Sequence, residues 1–83
     1  MTKSYLTVNM KLSGKKLHIA IRKSGYSVRE LQEMLDLSCP NPIYRWIHGQ
    51  VLPSTVNLYR LSCILQIPME NLLAAENITI NSN

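Results

Sequence analysis

The sequence predicts an all-α domain, and three observations carry that prediction. Nearly every segment places its apolar residues at the helical period rather than at the two-residue alternation of a strand. Capping residues and glycines divide the chain into short helices joined by tight links. The chain has 83 residues, 46% of them hydrophobic, which makes one small domain able to form a core. That length excludes a two-lobed cofactor enzyme and leaves little room for a closed substrate pocket. The 17% of charged residues is too few for a charge-extended, disordered chain. No internal repeat or low-complexity tract interrupts the pattern, and no apolar run approaches the ~20 residues that span a bilayer.

Residues 1–10 read as an N-terminal arm. Leu6, Val8 and Met10 alternate there with Tyr5, Thr7 and Asn9, which permits a short strand. A first helix is expected from Leu12 or Ser13 to Ser24, with Leu17, Ala20, Ile21 and Ser24 on one face. Gly25 stops it by accepting positive φ. Ser27 and Glu30 form a capping box that starts a second helix. Its apolar face is Val28, Leu31, Met34 and Leu35, and it ends near Asp36. Leu37 to Asn41 is a tight link. Pro40 and Pro42 keep the residues before them out of the helical region. Asn41 as N-cap with Pro42 at the first helical position is the preferred start of a third helix. A rival start has Cys39 as cap and both prolines in the first turn. Gly49 ends this helix. After a loop, Ser54 caps a fourth helix from Thr55 to Gln66, with Leu58, Leu61, Ser62 and Leu65 on one side. A last short helix is expected from Met69 to Ala75. The division is thus an arm at 1–10, a helical domain at 11–75 and a polar, flexible tail at 76–83.

Charge is distributed unevenly. Nine Lys and Arg face five Asp and Glu, a formal +4. Residues 1–29 hold Lys3, Lys11, Lys15, Lys16, Arg22, Lys23 and Arg29 with no acid, and Glu30, Glu33 and Asp36 then crowd together. Such asymmetry suits a polyanionic partner such as nucleic acid, and it equally suits a solvated face. Cys39 and Cys63, with no secretory leader in view, lead to the expectation of free thiols and a cytoplasmic location. In that setting the Asn77-Ile78-Thr79 sequon is a chance match. No metal, cofactor or catalytic constellation is expected. The cysteines are not at ligand spacing, His18 and His48 lie far apart in sequence, and neither has an orienting acid. Cys63 reads as a small core or boundary residue, and Tyr26 and Tyr59 as packing residues.

The third helix carries the functional signal. Trp46 and Ile47 fall within roughly 60° of Ile43 on a helical wheel and make an apolar stripe. Asn41, Tyr44, Arg45 and His48 make the opposite stripe, which contains no acid. An amide, a phenol, an imidazole and a guanidinium suit the donors and acceptors of the DNA major groove, where Arg pairs with guanine and Asn with adenine. An ordinary amphipathic helix with a wet face has the same pattern. Yet a short helix, a tight link and a second short helix make a helix-turn-helix, which projects its second helix outward.

Three stretches carry a family resemblance: Gly25-Tyr26-Ser27-Val28-Arg29-Glu30-Leu31, Ile43-Tyr44-Arg45-Trp46-Ile47-His48-Gly49-Gln50-Val51-Leu52-Pro53, and the run from Leu58 to Leu73. The sequence resembles the Cro and phage-repressor type of helix-turn-helix regulator, the xenobiotic-response-element family, over about residues 12–73. The resemblance implies a five-helix bundle of the lambda-repressor-like DNA-binding class, acting on operator DNA in bacteria or their phages. The second helix would brace on the DNA backbone and the third would enter the major groove. Asn41, Tyr44 and Arg45 are then the expected base readers. Lys15, Lys16, Arg29, His48 and Gln50 are the expected phosphate contacts.

The sequence departs from the family pattern at three places. The link from Leu37 to Ile43 is one residue longer than usual, so the entry angle of the third helix can differ. Val28 stands where the family often has a phosphate-binding Gln. Ile21 and Ile47 stand where an Arg–Glu pair is common, and their joint change to apolar residues predicts that they meet in the core, since apolar replacement of a buried pair is tolerated. Relatives often bind as homodimers on half-sites roughly 34–36 Å apart. Met69, Leu72 and Leu73, or the arm from Tyr5 to Met10, are the candidate pairing surfaces. The implied function is a repressor acting by operator occupancy. The alternative is a protein-binding adaptor, such as an antitoxin, on the same fold.

Overall fold

The computed structural model describes residues 2–81, with side chains described from Ser4 to Thr79. The order of elements is β1 (Thr2–Val8), α1 (Met10–Ser24), α2 (Val28–Met34), α3 (Asn41–Ile47), α4 (Thr55–Leu65), a 3-10 turn (Met69–Asn71) and β2 (Ala75–Asn81). The five-helix expectation is therefore corrected. The described residues form four α-helices and a two-stranded antiparallel ribbon, with Val8 opposite Ala75 and Thr2 opposite Asn81.

The expected last helix fails for a visible reason. Leu72 is buried, and the backbone that follows is committed to α1. Ala74 N–H donates to Ser13 Oγ at 2.8 Å, Ala74 C=O accepts from Asn9 N–H at 2.8 Å, and Leu73 C=O accepts from Lys16 Nζ at 2.9 Å. Groups bonded to α1 cannot also close a helical ladder. The expected frayed tail, 76–83, runs antiparallel to the arm over residues 76–81, its last two residues lying outside the described ones, so the strand pattern of residues 5–10 finds its partner in the C-terminal segment.

Several local signals act as expected. The Ser27–Glu30 capping box has both bonds at 3.1 Å, and Ser54 Oγ accepts from Asn57 N–H at 3.2 Å. Gly25 ends α1 at φ 81°, and Gly49 turns the chain after α3 at φ 71°. Helix α1 starts at Met10, earlier than expected, because the Asn9 side chain caps it through Leu12 N–H at 2.9 Å. At α3 neither expected start holds. Pro40 takes the N-cap position with helical dihedrals, and its carbonyl accepts from Ile43 N–H at 3.0 Å. Pro40 and Pro42 both lie where the missing amide hydrogen costs no ladder bond. Asn41 is consequently the first helical residue, and its side chain is exposed rather than spent on a cap.

The core collects one face from each helix. Leu31, Leu35, Ile43 and Leu61 are fully buried, joined by Leu17, Ala20, Ile21, Trp46, Leu65 and Leu72. Four expectations about packing are corrected. Met34, Tyr26, Tyr59 and Cys63 are exposed. Met34 sits in the last turn of a seven-residue helix, where Leu31 and Leu35 already fill the interior. Tyr59 and Cys63 lie on the side of α4 away from Leu61 and Leu65, which face the core.

Candidate nucleic-acid interface

The site is built by the way α3 seats on α1. Gly14 is buried, and a Cβ there would lie 2.8 Å from the Trp46 carbonyl oxygen, 2.9 Å from the Gly49 nitrogen, and closer still to the Ile47 carbonyl oxygen. Gly49 is equally confined, with its Cβ position 2.8 Å from the Met10 carbonyl oxygen. Two glycines thus let the C-terminal end of α3 lie directly on the first turns of α1. Ile43 and Trp46 are buried at this junction, and the opposite side of α3 is left facing out.

That outward side carries Asn41, Tyr44, Arg45 and His48, all exposed, with Tyr44 46% accessible. Gln50 follows, also exposed, its amide donating to the Arg45 carbonyl at 3.0 Å. His48 is oriented by its own helix. Its Nδ1 lies 2.7 Å from the Tyr44 carbonyl oxygen, which can only accept, so Nδ1 carries the proton. In the neutral ring Nε2 is then an acceptor, suited to a base amino group. Only the charged ring has a second donor for a phosphate oxygen.

Beside α3 runs a stripe on α1. Lys11, Lys15, His18 and Arg22 recur at i, i+4, i+7 and i+11, which is one helical edge. All four are exposed. Lys11, Lys15 and His18 line a cleft of about 330 Å³ together with Ile47 and His48. His18 and Arg22 line a second, of about 350 Å³, with Ile21, Val28, Tyr44 and Ile47. No carboxylate lines either cleft. Cations of α1 and the polar face of α3 therefore form one continuous, acid-free surface.

The expected site residues divide accordingly. Asn41, Tyr44, Arg45 and His48 share α3, and Lys15 joins them across the cleft. Arg29 is exposed on α2. Lys16 is diverted, because its ammonium group is held by the Leu73 carbonyl on another side of α1. Sequence reasoning missed Lys11, His18 and Arg22, although their spacing from Lys15 was there to be read. It also treated His18 and His48 as unrelated, whereas they share both clefts. Ile21 is buried, Ile47 is half-buried against the core, and both line the larger cleft, so apolar side chains fill the ground of the family's ion pair.

The helix pair α2–α3, with its second member turned outward, decides the classification. This is the helix-turn-helix fold. The restriction-modification controller protein C.AhdI from Aeromonas hydrophila superposes with a TM-score of 0.67 at 24% identity, covering 76% of this chain and 94% of that one. The clp gene regulator ClgR from C. glutamicum superposes with a TM-score of 0.65 at 21% identity, covering 76% of this chain and 80% of that one. No protein-family model matches the sequence, and no curated protein matches it significantly. In this helix-turn-helix frame α2 is the first helix of the pair and α3 the second. The longer link between them is absorbed by Asp36 at φ 55° and by the two prolines at the start of α3. No described helix is long and apolar enough to cross a membrane.

Proposed function

We propose that this chain is a sequence-specific DNA-binding regulator of cytoplasmic bacterial or phage origin, which represses by occupying its operator as a homodimer. The observation that carries the reading is the acid-free face of α3 set beside the basic edge of α1. In this reading α3 enters the major groove. Asn41, Tyr44 and Arg45 read base edges, and Lys15, Arg29, His48 and Gln50, with Lys11 and Arg22, hold phosphates and set the register. Val28 contributes no phosphate bond, so the cations of α1 take over much of that anchoring. In this reading repression is steric, the bound chain occupying the operator.

Selection of bound duplexes from a random pool tests this reading. Enrichment of a two-fold symmetric site is the expected result. Arg45→Ala should then relax preference at one position of each half-site, by about 1–3 kcal/mol of discrimination. A pool that stays random, with binding indifferent to salt, would end the DNA reading and favour a protein-binding adaptor.

A further inference from the structure

The antiparallel ribbon has no role in the face described above, and its shape is informative. We infer that it is the docking surface for a second copy of this chain, with the outer edge of β1 pairing antiparallel to its counterpart. This deepens the homodimer reading, on which it rests, by assigning the surface. It is tested without DNA, so failure of ribbon pairing and failure of operator binding are separate results.

The molecule is not compact. Its radius of gyration is 14.8 Å and its long axis 52 Å against 22 and 20 Å across. A compact chain of this length has a radius of about 12 Å. Its accessible surface is 5912 Å². A folded monomer of this mass exposes roughly 5,000 Å². The excess of about 900 Å² matches the ~800 Å² that one partner contributes to a standard interface. The strands pair chiefly with each other rather than with the helices, so the ribbon contributes to this excess.

A lone two-stranded ribbon is marginal in water, and three or more strands are needed for independent stability. Its outer edges also present unpaired N–H and C=O groups. Of the two strands, β1 carries the exposed apolar groups, Leu6 at 70% and Tyr5 at 50% accessibility. Leu6 lines a largely apolar cleft of about 310 Å³ with Val8, Leu73 and Ala75, and Glu70 is the one carboxylate in it. Among the β2 residues with described side chains, the exposed ones are Glu76, Asn77 and Thr79, which are polar, and Ala75, which adds only a methyl group. Antiparallel pairing of β1 with itself about a two-fold axis is a closed, isologous contact. It makes a four-stranded sheet, satisfies both inner edges and sets Tyr5 or Leu6 beside its own counterpart on one face of the sheet. Centred on either residue, it sets Lys3 opposite Thr7 or Asn9, so no like charges oppose. The rival surface is the stripe Val56, Tyr59 and Cys63 on α4, exposed but without unpaired backbone.

Sedimentation equilibrium of the full chain across micromolar concentrations, without DNA, is the test. A dimer is expected. Leu6→Lys should weaken it at least ~10-fold with helical circular dichroism unchanged, because Leu6 packs little in the monomer. Thr79→Lys on the far strand and Tyr59→Lys on α4 should leave it intact. Amide exchange supplies a second readout: β1 amides should gain protection as concentration rises, and α4 amides should not. A chain that stays monomeric, a dimer split by Tyr59→Lys but not by Leu6→Lys, or β1 protection that ignores concentration would each overturn the inference.

Discussion

Gly14 shows how a residue without a side chain can set the site. In an exposed helix Gly→Ala gains about 0.5–1 kcal/mol from backbone entropy. At position 14 the added methyl would press on the backbone of Trp46, Ile47 and Gly49, which cannot rotate away as a side chain can. Overpacking of this kind costs typically ~1–3 kcal/mol. Gly14→Ala should therefore destabilise the domain, lowering its melting temperature by several degrees, and should weaken DNA binding by shifting α3 on α1. A variant at least as stable as the parent would show that the α1–α3 contact is looser than it looks. Ala20, on the same helix and already buried, marks the ordinary case, in which the core accommodates a methyl group.

At the scale of elements, the segment leading into β2 is tied to α1 by the side chains of Ser13 and Lys16 and by the Asn9 amide, and Ser13 is the buried tie. Ser13 is buried, and its hydroxyl is the acceptor for Ala74 N–H. Ser13→Ala leaves that amide without a partner, a loss of about 1–3 kcal/mol. The effect should be local as well as global. Amide exchange should quicken across residues 74–78 more than in α2, and equal loosening everywhere would deny Ser13 its anchoring role. The same element shows what the sequence can and cannot convey. The Ser27–Glu30 capping box, the C-terminal glycines and the apolar faces of α1, α3 and α4 were legible, because each depends on neighbours within a turn or two. Met69–Ala75 was not. Its apolar residues fit a helix, and only bonds from Asn9, Ser13 and Lys16, some sixty residues upstream, take its backbone away. The strand of the tail was equally hidden, since a short alternating run becomes a strand only when another edge is there to pair with. The start of α3 lay between two readings because two prolines fit either. The outward face of α3 was legible from periodicity alone, whereas its flank on α1 required knowing which side of that helix α3 lies against.

The whole molecule places its cations unequally, and salt dependence can resolve them. Each phosphate neutralised contributes about −0.9 to the slope of log K against log salt. Lys11, Lys15 and Arg22 lie on the edge of α1 that adjoins α3, so replacing any one with Ala should reduce the slope by about that amount and weaken all DNA sites alike. Lys16 is next to Lys15 in sequence, yet sits roughly 100° further round the helix, with its ammonium group on the Leu73 carbonyl. Lys16→Ala should leave the salt slope unchanged and instead lower thermal stability modestly, about 1 kcal/mol, because this bond to a backbone carbonyl is only half-buried. Titrations of the parent, Lys15→Ala and Lys16→Ala over a range of salt decide the matter. Equal slopes for the two variants, both below the parent, would mean that Lys16 leaves its carbonyl to reach the duplex, and that DNA meets a broader part of α1 than its edge.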